Sequence, residues 1–356
     1  MKKLIRQTCA AWLLLASISA VQAQLTFITN NGAITITGFS GGSLGTLVVP
    51  STTNGFPVTS IGANYSGGGS LGYYQFSRVI LPNSITNIGN SAFSGSVATN
   101  IILGNGVLHF GNHAFGGCLG LASFTIPNSV TSMDFGAFAG CYNLTNVIIG
   151  SGLASLGNNC FQNCTSLKTV TILDGVTSIG DETFQGAGLT RITIPDTVTN
   201  IFGWAFYNNP NLTNVVIGSG VSTIGISAFG GNTNVISFFF KGNPPSLGGS
   251  LANNAKIFYL PGTTGWGTNF GGFTTALWNP QAQTGDGQFG IKTNRFGFNI
   301  TGTTNIPIVV EACTNLSGNI WTALQSLNLT NGSYHFTDSV AATNNRPIRY
   351  YRIRSP

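Results

Sequence analysis

Residues 129–150, SVTSMDFGAFAGCYNLTNVIIG, read as neither a clean helix nor a clean strand, and near-copies lie on both sides. Aligning the copies puts a Phe at positions 93, 115, 138, 161, 184, 206 and 229, every 22 or 23 residues. The residue before it is Ala92, Ala114, Ala137, Cys160, Thr183, Ala205 or Ala228, nearly always small. Five residues ahead of the Phe stands Ile88, Phe110, Met133, Leu156, Ile179, Ile201 or Ile224. Three further back come Ile85, Val107, Val130, Leu153, Val176, Val198 and Val221. Each copy also carries a short apolar run, among them VIL at 79, IIL at 101, VII at 147 and FFF at 238. Runs of three bounded by Asn, Pro and Gly suit one strand per turn of a solenoid and are too short for a free-standing sheet. No copy buries its apolar columns alone, so the copies stack and the ends need caps. At about 4.8 Å per parallel strand, roughly ten coils make a ladder on the order of 40 Å long.

The stretch IPNSVTSMDFGAFAGCYNLTNVII, Ile126 to Ile149, follows the pattern IPxxVTxIGxxAFxxCxxLTxV. In this it resembles the BspA-like leucine-rich repeats of bacterial cell-surface and secreted proteins. The resemblance runs from about Leu47 to Leu260. It implies a right-handed parallel solenoid of 22–23-residue coils with a sheet on its concave side, in a family associated with adhesion and protein binding. Fold alone does not fix function, so the role has to be argued from particular residues.

The ends differ from the repeat. Met1–Ala23 has a basic start, an apolar run and Val21-Gln22-Ala23, the order of a secretory signal cleaved after Ala23. Export to the cell surface or the extracellular space is therefore expected, and no later stretch is long and apolar enough to span a membrane. Residues 24–46 read as an N-terminal cap hairpin, 47–260 as the solenoid, and 63–76 as a Gly-rich loop on its flank. Residues 261–285 read as an aromatic-rich cap and linker, the linker beginning at Gln281. Tyr259, Trp266, Phe270, Phe273 and Trp278 supply the aromatics, which either close the stack or offer a sugar platform. A sugar platform predicts that the rings near Trp266 and Phe239 are exposed together. Residues 286–356 alternate strands with Asn/Gly turns, which predicts a small antiparallel β-sandwich. This run also resembles a C-terminal module of many exported bacterial proteins. Arg346, Arg349, Arg352 and Arg354 are read as the outward face of its last strand.

Only 6% of the chain is charged. Removing the signal leaves 11 basic and 8 acidic residues, so the basic pI is no argument for nucleic-acid binding. His109 and His113 are spaced for one helix face but supply only two ligands, so no metal or cofactor is expected. Asp174, Asp181 and Glu182 lie close in sequence without basic or aromatic neighbours, and are read as solvated turn residues, not a glycosidase pair. No phosphate loop is present, and no enzyme activity is expected. Cys118, Cys141 and Cys164 share one column, either bridged between neighbouring coils or, as their column favours, buried as small apolar thiols.

What remains is the sheet. Its outward column at the strand centres includes Ile102, Thr125, Ile148, Thr171, Thr193, Val216 and Phe239. The column two residues earlier includes Asn100, Ser123, Asn146, Arg191 and Asn214. An apolar stripe beside amides and hydroxyls suits a neutral partner: a protein, a peptide or a glycan. The expectation is a non-catalytic recognition or adhesion protein. Its alternative is a structural surface or matrix protein without a specific ligand.

Overall fold

Every coil of the repeat carries two strands. In the computed structural model, which describes residues 25–40, 45–62, 71–73, 75–251, 255–317, 320–341 and 348–354, the β-branched runs form the longer one. Examples are Ser123–Ile126, Asn146–Ile149 and Thr169–Ile172, paired in parallel with Thr125 opposite Ile148 and Ile148 opposite Thr171. A second, two-residue strand follows in each coil: Asn87–Ile88, His109–Phe110, Ser132–Met133, Ser155–Leu156, Ser178–Ile179, Asn200–Ile201, Thr223–Ile224 and Ser246–Leu247. The sequence reading gave one strand per coil, because two residues carry no alternation to recognise. The expected signal, most of the Gly-rich insert, and Arg346 lie outside the described residues.

The backbone divides into two units: Met1–Val235 with Pro245–Asn253, and Ile236–Pro244 with Asn254–Pro356. In the first, Leu25–Asn30 and Ala33–Phe39 form an antiparallel hairpin. Its turn residues, Asn31 and Gly32, both have positive φ, as a tight Asn-Gly hairpin turn requires. Ala33–Phe39 then pairs in parallel with Phe56–Ile61, which places the hairpin on the short-strand sheet.

The seven Phe residues of the repeat form a continuous ring stack between the sheets. Phe93, Phe115, Phe138, Phe161, Phe184, Phe206 and Phe229 are fully buried, with successive centroids 4.8–5.4 Å apart and planes within 12°. The coil spacing sets that distance, and the small residue before each Phe leaves room for the ring.

The turn that carries each ring explains why the repeat is neither helix nor strand. The residues two before each Phe (Ser91, His113, Gly136, Asn159, Glu182, Trp204, Ser227) all have φ between 49° and 63°. So do those two after it (Gly95, Gly117, Gly140, Asn163, Gly186, Asn208, Gly231), at 55° to 75°. Two left-handed residues per turn prevent a helix from propagating. The second column is Gly or Asn throughout, the residues that tolerate this conformation best.

The second unit begins with parallel strands Ser237–Phe240, Lys256–Tyr259 and Phe273–Leu277. Phe240, Tyr259, Trp266 and Phe270 cluster here with centroids 5.0–5.6 Å apart. Beyond them lie two antiparallel sheets. One joins Gln281–Gln283, Arg295–Thr301, Gly290–Lys292 and Ser333–Ala341; the other joins Thr322–Asn328, Pro307–Cys313 and Tyr350–Arg354. Tyr351 of the second sheet contacts Phe296, Phe298 and Phe336 of the first, so the two face each other. Gln281–Gln283, expected as linker, pairs with Arg295–Thr301, where its polar side chains suit an edge strand. Among the described residues no helix is long and apolar enough to cross a membrane.

The arginines of the last strand also depart from expectation. They are ion-pair partners of two buried carboxylates more than a plain outward face. Glu311 accepts from Arg352 at 2.7 Å and Arg354 at 2.6 Å, and Asp338 accepts from Arg349 and from the Tyr351 hydroxyl. A carboxylate in this apolar strand is tolerable only with such partners.

Candidate functional site

On the long-strand sheet the alternation of exposure follows the strand period. In Ser123–Ile126, Ser123 and Thr125 are exposed while Phe124 and Ile126 are buried. The same alternation in Asn100–Ile102 leaves Asn100 and Ile102 outside. These outer side chains line a depression of about 820 Å³ with Ile148 and Leu173. Its rim is made by Leu103, Asn105, Pro127 and Asn128, in the loops that leave the strands.

The floor has no charged residue and no exposed aromatic ring: its one ring, Phe124, is buried, and its apolar contacts are aliphatic. The rim is rigid for a physical reason. The Asn83 and Asn128 amide oxygens accept from the backbone N–H of Asn105 and Ser151, each at 3.0 Å and each one coil further on. Asp196 does the same for Ser219 at 2.8 Å. Successive loops are thereby tied at the coil spacing, which fixes the depression without a ligand. Such a surface can desolvate aliphatic side chains and exchange hydrogen bonds with neutral polar groups. It has no titratable group to drive acid–base chemistry.

Of the sequence-predicted residues, Asn100, Ile102, Thr125 and Ile148 come together in this depression. Asn146 is half-buried, and its amide oxygen accepts from Thr169 at 2.7 Å. Thr171, Arg191 and Thr193 are exposed and Asn214 half-buried, outside the depression. Val216 and Phe239, expected to face solvent, are buried. Phe239 stacks on Phe258 of the adjacent strand with centroids 5.2 Å apart, in a strand whose four residues are all buried. Phe239 is therefore not exposed beside Trp266, which is half-buried. Leu173 went unnoticed in the sequence. Its signal is a Leu where neighbouring coils have Pro127, Gly150 and Pro195.

The other candidates do not converge. His109 bonds through Nδ1 with Ser132 Oγ at 2.8 Å and lies 3.4 Å through Nε2 from Asp134. His113 instead packs edge-on against Phe135, centroids 5.5 Å apart. Among the described residues no three His, Cys, Asp or Glu side chains are placed to hold a metal ion. Among the described residues all five cysteines are free and buried. Contact between the Cys118 and Cys141 thiols, together with burial, raises Cys118, and burial, helped by the Asp134 charge, pushes Cys160 up to about 12.

The pattern of the BspA type leucine rich repeat region matches residues 70–186 and 154–260, more than half of the chain. The chain belongs to the BspA type leucine rich repeat family. Several solved structures are similar to it. A leucine rich cell surface protein from Faecalibacterium prausnitzii A2-165 is 28% identical, over 61% of this chain and 69% of its own, with a TM-score of 0.49. The T. pallidum leucine rich repeat protein is 21% identical over 67% of this chain and 84% of its own, at a TM-score of 0.36. A leucine-rich repeat protein from Bacteroides ovatus ATCC 8483 is 20% identical over 67% of this chain and 94% of its own, at a TM-score of 0.35. No curated protein matches the chain. In this BspA-type chain the depression lies wholly within the matched repeats.

Proposed function

We propose that this BspA-type protein is exported and acts by recognition without catalysis, binding a neutral polypeptide segment in the depression around Ile102, Thr125 and Ile148. One observation carries the reading: a rigid, uncharged, aliphatic and hydroxyl-bearing hollow of about 820 Å³ on the outer face of the long-strand sheet. Concave sites with a mainly apolar lining and a few fixed polar groups are the usual binding sites of proteins. The lack of an exposed aromatic floor favours a polypeptide over a glycan, because sugars are held by stacking on rings. Export is supported by the signal-like order of Met1–Ala23.

The test is binding of the mature chain to arrays of extracellular proteins, peptides and glycans, beside the double variant Ile102→Glu, Ile148→Glu. Loss of a peptide or protein ligand in a folded variant supports the reading. A ligand bound equally by both forms places binding outside the depression and refutes this site, and no ligand at all favours the structural alternative.

A further inference from the structure

A second surface of the repeat unit has chemistry that the long-strand face lacks. The left-handed position two residues before each stacked Phe favours Gly, Asn or Ser, yet one coil places Trp204 there, at φ 51°. Two residues earlier five of the other six coils carry Gly (Gly89, Gly111, Gly157, Gly180 and Gly225) and one carries Asp134, whereas this coil carries Phe202. Both departures are unfavourable for the fold. One strains the backbone and the other exposes a ring: Phe202 is 47% exposed and Trp204 40%. Ile226, 51% exposed, extends the same patch, and the Trp204 N–H donates to its carbonyl at 3.0 Å.

Two carboxylates stand in the preceding coil. Glu182 occupies the position of Trp204 one coil earlier, and its N–H donates to the Gly203 carbonyl at 3.0 Å. Its carboxylate is fixed by two neutral amides, Asn159 Nδ2 at 2.9 Å and Gln162 Nε2 at 2.7 Å. Asp181 leans over Gly203: a Cβ at that glycine would lie 3.2 Å from Asp181 Oδ1 and 3.2 Å from Ile226 Cγ2. In all seven turns, from four residues before the stacked Phe to three after, there is no Lys or Arg. Among the described residues no basic side chain pairs with Asp181 or Glu182.

We propose that Phe202, Trp204, Asp181 and Glu182 form a docking site for an Arg- or Lys-bearing segment of a partner polypeptide. The cation lies against the face of the indole and between the carboxylates. Cation–π attraction is strongest for Trp, and a neighbouring carboxylate adds a charge-assisted hydrogen bond. The preorganised Glu182 needs no rearrangement to accept it. This site is independent of the depression on the long-strand sheet.

The test uses the full mature chain and a synthetic peptide of alternating Arg and Gly, with alternating Glu and Gly as control, measured by calorimetry. Trp204→Gly returns a left-handed position to the residue that tolerates it best, so this variant should melt no lower than the parent. The Arg peptide should bind, weaken as salt rises, and lose about tenfold or more in affinity in Trp204→Gly and in Glu182→Gln. Unchanged affinity in folded Trp204→Gly would overturn the proposal. So would no binding by the folded parent, or a preference for neutral oligosaccharides over the Arg peptide.

Discussion

The thiol of Cys141 donates to the main-chain carbonyl of Phe115, one coil earlier, at 3.1 Å. Cys118 does the same to Phe93 at 3.1 Å and Cys164 to Phe138 at 3.2 Å. In later coils the same column becomes Asn209 and Asn232, whose amides donate to Phe184 at 2.9 Å and Phe206 at 3.0 Å. In these five coils the column supplies a buried donor that ties the ring-bearing turn to the one before it, whereas Ala187, between the Cys and Asn runs, has none. Cys and Asn both serve there because both are small enough and both can donate.

Cys141→Ser should keep the donor and stay within about 1 kcal/mol of the parent, whereas Cys141→Val should cost about 1–2 kcal/mol through the lost hydrogen bond and a slightly larger side chain. Urea denaturation of both variants checks this. Cys118 and Cys164 should react with a disulfide reagent only once denaturant opens the coils, since contact with Cys141 and burial hold both in the unreactive thiol form.

Phe161→Ala removes a ring that stacks on Phe138 and Phe184 at 5.3 Å each. The expected loss is about 3–5 kcal/mol. Because coils contact mainly their neighbours, the unfolding transition should also broaden. Calorimetry reads both effects.

Two glycine substitutions separate strain from collision. At Gly140, φ 72°, a Cβ would meet nothing closer than 3.8 Å, so Gly140→Ala should cost only the left-handed backbone, about 1–2 kcal/mol. At Gly152 a Cβ would lie 2.0 Å from the Asn128 carbonyl oxygen, so Gly152→Ala should force the coils apart and prevent a native melt. Circular dichroism of the two variants distinguishes these outcomes.

The C-terminal sheets should be acid-sensitive. Burial raises Glu311, but hydrogen bonds from Arg354 and Arg352 outweigh it and leave the group below its ordinary value. Asp338 is likewise raised by burial and lowered further by the Val340 N–H, Tyr351 and Arg349. Lowered carboxyls contribute stability above the unfolded value of about 4, and that stability is lost as pH falls through the folded values. Near-ultraviolet dichroism, which sees the Tyr351 cluster, should fade below about pH 4. Glu311→Ala should cost about 1–2 kcal/mol at neutral pH, because it removes two charge-assisted hydrogen bonds from arginines that stay partly solvated.

The repeat was legible in the sequence because four columns stay in register over seven copies, and a ring stack requires that constancy. The short strands were not legible, since a pair such as Ser155-Leu156 has no period of its own. Nor were the left-handed turns, because Trp204 and Glu182 conceal what Gly140 and Asn163 announce. For the depression, alternation gave Asn100, Ile102, Thr125 and Ile148. Val216 and Phe239 share their column and yet are buried, because exposure depends on what packs above a strand as well as on its period. Asp181 and Glu182 seemed to lack aromatic neighbours since Trp204 is 22 residues away in sequence and one coil away in space.

The most direct measurement of the central claim is the affinity of the mature chain for its best ligand from an array of extracellular proteins and peptides, compared with that of Ile102→Glu, Ile148→Glu. The account predicts a polypeptide ligand that the folded variant loses by about a hundredfold, as expected when charges are forced against a desolvated apolar contact. Undiminished affinity in the folded variant would contradict it.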